Sequence, residues 1–267
     1  MLFYPGGVER QGIEAVILGS GTSVGVPFIG CDCAVCTSPD PRNHRLRSSL
    51  LLRSPHARIL VDCGPDFRTQ ALRERIHALD AVILTHEHAD HILGLDDLRL
   101  LCALAQTPMP VLADRSTLEV VARVFAYAFD GRDTGSSKPR LTLGELDPRA
   151  ASVTVAGVAI VPVPVQHGQL TVLGLRVGDF AYIPDCNGIG PLARERLAGL
   201  DTLVIDGLRH RPHRTHFHTD EVLAVIADLA PRQAWLTHLT HEWDATRDEE
   251  RLPAGVRLAY DGLVLAV

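Results

Sequence analysis

The chain has 267 residues, of which 46% are hydrophobic and 22% are charged, and its formal net charge at pH 7 is -6. This hydrophobic content is ample for a large core and excludes a disordered chain, so we predict a single domain spanning residues 1–267. The negative charge argues against a nucleic-acid partner, because an acidic surface repels a phosphate backbone.

The composition gives no sign of secretion or of a membrane partner. The segment from Met1 to Gly7 lacks the basic stretch, the long apolar core and the cleavage site of a signal peptide, and no apolar run is long enough to span a membrane. Three of the six cysteines are crowded between Cys31 and Cys36, a spacing typical of metal thiolates in a reducing compartment. We therefore expect a soluble cytoplasmic protein.

The first predicted strand, at residues 14–18, leads into a glycine-rich turn at residues 19–27. The third glycine comes one residue late for a dinucleotide fingerprint and no helix follows, so a tight turn or a close approach to the active site is favoured over cofactor binding. Cys31, Cys33 and Cys36 come next and predict a structural zinc site, which needs a fourth ligand. His44 is nearest in sequence and His241 is more distant; spacing leaves both open.

Residues 48–53 and 58–62 predict a hairpin, residues 66–77 a helix, and residues 81–84 a short buried strand. Asp62 ends the hairpin just before a Gly-Pro turn. A carboxylate there can either orient a ligand histidine through its second ring nitrogen or cap the turn.

The stretch after the buried strand, Leu84-Thr85-His86-Glu87-His88-Ala89-Asp90-His91, is the most informative in the sequence. It places His86, His88, Asp90 and His91 within six residues. Neutral imidazole and carboxylate suit zinc, manganese or iron, and clustered histidines would repel one another at low pH without a cation. In a loop, His86 and His88 can converge on one ion while Asp90 and His91 reach a second.

The central part of the chain predicts a helix at residues 92–105, a strand at 111–113 and a helix at 116–129 capped by Ser116. The polar segment 130–148 is predicted as a loop. It either moves near the substrate entrance or forms an idle surface insertion, and the sequence does not decide between these.

The second half repeats a pattern of strand, candidate ligand and helix. Strands within residues 153–165 deliver His167, and a hairpin at residues 173–177 and 180–183 delivers Asp185. A strand at 202–206, a helix at 219–229 that Thr219 could cap, and a strand at 233–237 follow, and the last strand delivers His238 and then His241.

This set of motifs resembles the metallo-β-lactamase superfamily of metal-dependent hydrolases. Within it, the chain is most similar to the phosphodiesterase family of the carbon–phosphorus lyase pathway, which opens phosphoribosyl 1,2-cyclic phosphate. The similarity rests on His86-x-His88-x-Asp90-His91, Gly25-Val26-Pro27, Gly30-Cys31-x-Cys33-x-x-Cys36, Leu236-Thr237-His238-x-x-His241 and Tyr260-Asp261-Gly262. The resemblance implies an α/β fold, the four-layer αβ/βα sandwich.

The resemblance also implies the ligand sets. His86, His88 and His167 would hold one active-site ion, Asp90, His91 and His238 a second, and Asp185 would bridge them; both ions would be Mn²⁺ or Zn²⁺. Cys31, Cys33, Cys36 and His241 would hold a structural Zn²⁺, which selects His241 over His44. Two such ions share a water that becomes a nucleophilic hydroxide near neutral pH, so all seven groups suit hydrolysis of a phosphodiester.

His216 matches a histidine that assists the phosphoester reaction in the resembled family, and we expect it to be catalytic together with Asp90; His218 is its rival for this role. Arg209, Arg211 and Arg214 either bind a substrate phosphate or only solvate their loop. The expected substrate is a small phosphodiester, most of all 5-phosphoribosyl 1,2-cyclic phosphate, and the resemblance implies a homodimer. The alternatives are a processing nuclease like ribonuclease Z and a non-catalytic metal-binding protein.

Overall fold

The computed structural model describes residues 12–133 and 135–267. The absence of a signal peptide, argued from Met1 to Gly7, concerns residues outside this part of the chain. Among the described residues, no helix is long and apolar enough to cross a membrane.

The strands of the described residues form two seven-stranded sheets. The first contains β1 (Glu14–Gly19), β2 (Ser49–Arg53), β3 (Arg58–Val61), β4 (Ala81–Ile83), β5 (Met109–Ala113), β6 (Leu141–Glu145) and β14 (Val264–Ala266). The second contains β7 (Val153–Val155), β8 (Val158–His167), β9 (Leu170–Val177), β10 (Phe180–Ile183), β11 (Thr202–Asp206), β12 (Gln233–Thr237) and β13 (Val256–Leu258). The spatial orders are β14-β1-β2-β3-β4-β5-β6 and β13-β12-β11-β10-β9-β8-β7.

The helices connect these strands. They are α1 (Phe67–Arg73), α2 (Ala89–Ile92), α3 (Leu98–Ala105), α4 (Arg115–Val124), α5 (Ala126–Phe129), α6 (Pro191–Arg196) and α7 (Thr219–Leu229). Short 3₁₀ turns lie at Pro41–Asn43, Leu95–Asp97 and Glu249–Arg251.

The side chains of each strand alternate between two cores, which gives the layers. On β1, Ala15 and Ile17 belong to the core shared by both sheets, whereas Val16 and Leu18 belong to the core under the helices of the first half. On β11, Val204 faces the shared core, and its two neighbours face the helices of the second half. The period of two along the strands thus builds the predicted four layers, helices, sheet, sheet and helices.

Parallel pairing brings the candidate ligands to one edge of the sandwich. β3, β4 and β5 run parallel to one another, as do β10, β11 and β12. Because the carboxyl ends of parallel strands meet at one edge of a sheet, the loops after β4, β10 and β12 lie together there. These loops carry His86, Asp185 and His238.

Four predicted elements were wrong in detail. The helix expected at residues 92–105 is broken into α2, a 3₁₀ turn and α3, because Gly94 packs against the turn after β3; a Cβ at Gly94 would lie 2.0 Å from the carbonyl oxygen of Gly64. The cap of α4 is Asp114, which accepts a hydrogen bond from the backbone N–H of Thr117, and not Ser116.

The segment predicted as a loop at residues 130–148 contains a strand. β6 pairs in parallel with β5 and forms the edge of the first sheet. Its exposed and half-buried side chains give little of the apolar alternation from which strands are recognised. The predicted helix at 66–77 is also shorter, since α1 ends at Arg73.

Candidate metal centre

The loops after β4 and β10 and the end of β8 bring one group of ligand atoms together. His86, His88, His167 and Asp185 each place one nitrogen or oxygen within 4.8 Å of the others. His86 Nε2 lies 2.9 Å from His88 Nδ1 and 3.8 Å from Asp185 Oδ2. His167 Nε2 lies 3.9 Å from the same carboxylate oxygen. This group matches the ligand set predicted for the first ion.

A second group lies on the other side of Asp185. Asp90, His91 and His238 also place their ligand atoms within 4.8 Å of one another. The other oxygen of Asp185, Oδ1, lies 3.3 Å from His91 Nε2 and 3.4 Å from His238 Nδ1. Asp185 therefore presents one oxygen to each group, as a bridging carboxylate must.

Four of the histidines are oriented by an oxygen next to Nδ1. The acceptors are supplied by side chains and by one backbone carbonyl. The pairs are His86 with Thr85 Oγ1 at 3.0 Å, His91 with Asp62 Oδ2 at 2.8 Å, His167 with the Thr215 carbonyl at 2.7 Å, and His238 with Ser48 Oγ at 3.0 Å. Such contacts fix the rings, and in His86, His91 and His167 they leave Nε2, the nitrogen that faces Asp185, with a lone pair for a cation.

The unpartnered atoms of the site fit a cation. Among the described residues, His91 Nε2 and Asp185 Oδ1 are buried without a hydrogen-bond partner. Leaving a buried polar atom unpaired is costly, and a metal ion would satisfy both atoms at once. Burial lowers the pKa of His86 well below its usual range and the pKa of His238 to about 4, which favours the neutral form of these two rings that metal ligation requires.

Two residues at this edge of the sandwich have a strained backbone. Asp62 has a φ of 63° and His238 a φ of 59°, the left-handed region that side chains other than glycine rarely adopt. Asp62 also accepts hydrogen bonds from the backbone N–H and the hydroxyl of Thr85, at 2.8 and 3.0 Å. Asp62 therefore orients His91 and the loop that carries His86, and does not merely cap a turn.

His216 lies beside the ligand groups and is paired with a second buried residue. Its Nδ1 lies 2.6 Å from Asp206 Oδ2, and its ring stacks on that of His238 at 4.9 Å. Burial lowers the pKa of His216, but the Asp206 carboxylate outweighs this and raises it to about 9. The imidazolium can then hold a proton on Nε2. His218 instead precedes α7, where its backbone N–H donates to Glu221.

Asp206 was missed in the sequence. It is fully buried at the end of β11 and also accepts hydrogen bonds from the backbone N–H groups of Cys186 and Leu208, at 2.9 and 3.0 Å. The available signal was its place at the carboxyl end of a strand parallel to those that deliver Asp185 and His238. Ser48 and Thr215 carried no such signal.

The cysteine cluster meets His241 at a separate place. The sulfur atoms of Cys31, Cys33 and Cys36 lie 3.3, 3.7 and 3.4 Å from His241 Nδ1. Backbone N–H groups donate to two of these sulfur atoms; the one from Cys36 lowers the pKa of Cys33. Three thiolates and one imidazole suit tetrahedral zinc.

His44 lies elsewhere, with Nε2 2.8 Å from the Ser38 carbonyl. The remaining cysteines, Cys63, Cys102 and Cys186, are small buried side chains, as expected.

The family model of the beta-lactamase superfamily domain matches residues 57–239. This range contains both candidate ligand groups. The chain belongs to the metallo-β-lactamase superfamily. The crystal structure of a diphosphatase from the PhnP family superposes with a TM-score of 0.88 and 40% identity, covering 95% of this chain and 96% of that one. The chain is thus a relative of the PhnP family within a superfamily of hydrolases.

Other relatives extend this picture. An octanoyltransferase from Porphyromonas gingivalis is 38% identical over 254 residues, which is 94% of this chain and 51% of that protein. The chain thus spans about half the length of that curated relative. The coenzyme PQQ synthesis protein B of Methylobacterium nodulans is 29% identical over 226 residues, 73% of each chain. A zinc-bound PqqB structure from Methylobacterium extorquens has a TM-score of 0.76 at 22% identity, covers 95% of this chain and all of that one, and shares the fold.

Proposed function

We propose that the chain is a divalent-metal-dependent phosphodiesterase acting on small substrates, with 5-phosphoribosyl 1,2-cyclic phosphate as the first candidate. The observation that carries this proposal is the placement of Asp185, whose two oxygens face two separate ligand groups. Six oxygen and nitrogen ligands around one bridging carboxylate suit a pair of hard or borderline cations, Mn²⁺ or Zn²⁺.

In this proposal His86, His88 and His167 hold one ion, Asp90, His91 and His238 hold the other, and Asp185 bridges them. When bound, such a pair lowers the pKa of a shared water and neutralises charge on the phosphoryl oxygens. The chain's own contribution is to fix the ligands. Thr85, Asp62, Thr215 and Ser48 hold the rings at Nδ1, so the geometry exists before substrate binds.

His216 is proposed as the general acid. Asp206 accepts a hydrogen bond from its Nδ1–H at 2.6 Å, which leaves Nε2 to donate a proton to the departing oxygen of the ester. This proton matters because an alkoxide is a poor leaving group. Asp90 is assigned to the second ion, since its Oδ2 lies 3.1 Å from His91 Nε2, and its proposed part in catalysis is to hold that ion.

The structural neighbour with 40% identity is a diphosphatase, which makes a small diphosphate the second candidate substrate. Both candidates carry a phosphorus with two ester or anhydride links and a single negative charge. A ribonuclease Z of Bradyrhizobium diazoefficiens is 35% identical over 103 residues, so precursor transfer RNA must be tested as well. The net charge of -6 favours a small substrate over RNA.

The test is a panel assay with manganese- or zinc-loaded protein. The substrates are bis(p-nitrophenyl) phosphate, 5-phosphoribosyl 1,2-cyclic phosphate, 2′,3′-cyclic nucleotides, ADP-ribose and precursor transfer RNA. We expect metal-dependent turnover of the first two. Cleavage of precursor transfer RNA alone would favour the nuclease, and no turnover with any metal would favour a non-catalytic metal-binding protein.

His216→Ala should bind the same number of ions as the wild type but lose turnover of the cyclic phosphate. Arg123→Ala is a matched control, because Arg123 is exposed on α4 far along the chain from every ligand.

The homodimer remains a prediction, which light scattering of the metal-loaded protein would test.

A further inference from the structure

The loop between β11 and α7 carries three arginines just before His216. We refer to Arg209–Thr215 as the arginine loop. From the sequence, all three arginines were equal candidates for binding a substrate phosphate. Their contacts in the structure separate them.

Two of the arginines are engaged within the protein. Arg209 folds back on its own loop, donating from Nε and Nη2 to the carbonyls of Arg211 and Pro212 at 3.1 and 2.9 Å. Arg211 donates to Glu242 Oε1 at 3.0 and 2.6 Å. These contacts shape the loop, neutralise one of its charges and occupy the Nε and Nη2 edge of both guanidinium groups.

The anchor of Arg211 is itself well fixed. Glu242 follows His241, the histidine beside the three cysteines, and its Oε2 accepts from the backbone N–H of His210 at 3.3 Å. The ring of His210 packs on Trp243 at 4.2 Å, and Trp243 donates from Nε1 to the Gly207 carbonyl at 2.7 Å. The first half of the arginine loop is therefore tied to the segment that carries the structural-zinc ligand.

The second half of the loop is tied to the candidate metal centre. Asn187 Nδ2 donates to the carbonyl of Arg214 at 2.9 Å, and Asn187 Oδ1 accepts from the backbone N–H of Gly168 at 2.9 Å. The carbonyl of Thr215 accepts from Nδ1 of His167 at 2.7 Å. The carbonyl groups of Arg214 and Thr215 are thus both held by segments that carry candidate ligands.

Arg214 is the arginine that remains free. It is exposed, and its side chain has no hydrogen bond or ion pair with any residue in the described ranges. The preceding residue, His213, has its ring 5.1 Å from that of His216, which places this part of the loop at the edge of the candidate metal centre. An unpaired cation on a backbone fixed at two points is suited to binding an anion without a large ordering cost.

We propose that Arg214 determines specificity by binding a second anionic group of the substrate, a terminal phosphate away from the phosphorus that is attacked. The planar guanidinium matches two phosphate oxygens, which Lys cannot do. This inference rests on the proposed function and narrows it to small phosphodiesters that carry a further phosphate. 5-Phosphoribosyl 1,2-cyclic phosphate carries such a phosphate at its 5-position, whereas both phosphorus atoms of ADP-ribose belong to the diphosphate that would be cleaved.

The test compares two substrates that differ in one group, 5-phosphoribosyl 1,2-cyclic phosphate and ribosyl 1,2-cyclic phosphate without the 5-phosphate. The wild type should prefer the first in kcat/KM by roughly 10- to 100-fold, the range expected for hydrogen bonds to a charged group. Arg214→Ala should lose this preference, mainly through KM, and leave turnover of bis(p-nitrophenyl) phosphate within about threefold of the wild type. Arg214→Lys should restore the preference in part, and Arg123→Ala should leave it unchanged.

The inference is overturned if Arg214→Ala keeps the preference, or if the wild type shows none or hydrolyses neither sugar phosphate. Turnover of bis(p-nitrophenyl) phosphate separates this failure from failure of the proposed function. A wild type that hydrolyses that diester but ignores the 5-phosphate contradicts only the role of Arg214. A wild type that hydrolyses no diester with any metal contradicts the proposed function.

Discussion

Replacing Asp206 by Asn tests the proposed acid most sharply, because the change removes one charge and almost no volume. The Asp206 carboxylate accepts three hydrogen bonds, from His216 and Cys186 at Oδ2 and from Leu208 at Oδ1. An amide has only one oxygen. Whichever way the Asn side chain is turned, its NH₂ group faces a backbone N–H, and in one orientation it also faces His216 Nδ1.

The expected losses follow from this geometry. A buried N–H left without an acceptor costs about 1–3 kcal/mol of unfolding free energy, so the melting temperature should fall by several degrees. General acid catalysis typically contributes ~10²–10⁴-fold, and we expect kcat to fall roughly 100-fold for a substrate whose alkoxide must be protonated. The loss should stay within about threefold for bis(p-nitrophenyl) phosphate, because p-nitrophenolate departs without a proton.

The assay therefore compares two substrates that have different leaving groups, with wild-type and variant proteins that contain equal amounts of metal. Asp206→Asn should lose far more activity on 5-phosphoribosyl 1,2-cyclic phosphate than on bis(p-nitrophenyl) phosphate. In the His216→Ala background, Asp206→Asn should add no further loss, because Asp206 acts through His216. Equal losses on both substrates, or additive losses in the double variant, would refute the assignment.

Three further predictions concern metal binding and packing. Asp62→Asn removes the negative charge beside His91 and one of the two acceptor oxygens that hold His91 and Thr85, and should weaken active-site metal binding ~10–100-fold in competition with a chelator; unchanged affinity would argue against the orienting role. Cys36→Ser should lower bound zinc by one ion per chain in elemental analysis and lower the melting temperature, whereas unchanged zinc content would count against the structural site. Gly94→Ala places a Cβ 2.0 Å from a neighbouring carbonyl oxygen and should cost several kcal/mol in urea unfolding, while Gly190→Ala, with open space around its Cβ, should cost less than about 1 kcal/mol.

The candidate ligands could be predicted because residue types that bind metals can be recognised from their local spacing in the sequence. His86, His88, Asp90 and His91 are adjacent in the chain, and His238 and Asp185 each follow an apolar strand. Parallel pairing of these strands then explains why distant residues meet. The four layers could be predicted only through the resemblance to the superfamily, and the alternation of buried side chains along the strands of the structure agrees with it.

The residues that orient the ligands could not be predicted in the same way. Ser48 and Thr215 are ordinary polar residues whose roles depend on which histidine lies opposite, and only the folded chain shows this. The short edge strands were missed for a related reason. β6 has a polar face, and β13 and β14 have three residues each. These strands are therefore recognised by their pairing with a neighbouring strand and not by their own pattern of apolar residues.

The break in the helix after the ligand motif shows how tertiary contacts override local periodicity. Residues 92–105 have helical spacing, yet the backbone N–H of Gly94 donates to the Cys63 carbonyl at 2.8 Å, and the chain turns there. This turn presses the segment that carries His91 against Asp62. The departure from the expected helix therefore lies at the candidate metal centre, where the helix is interrupted next to the ring of His91.

A crystal structure of the metal-loaded protein with anomalous scattering measures the central claim directly. The account predicts two ions at the edge of the sandwich, each contacted by a different oxygen of Asp185, and a third ion between His241 and the three cysteines. A single active-site ion in excess metal, or an Asp185 carboxylate that contacts neither ion, would contradict it.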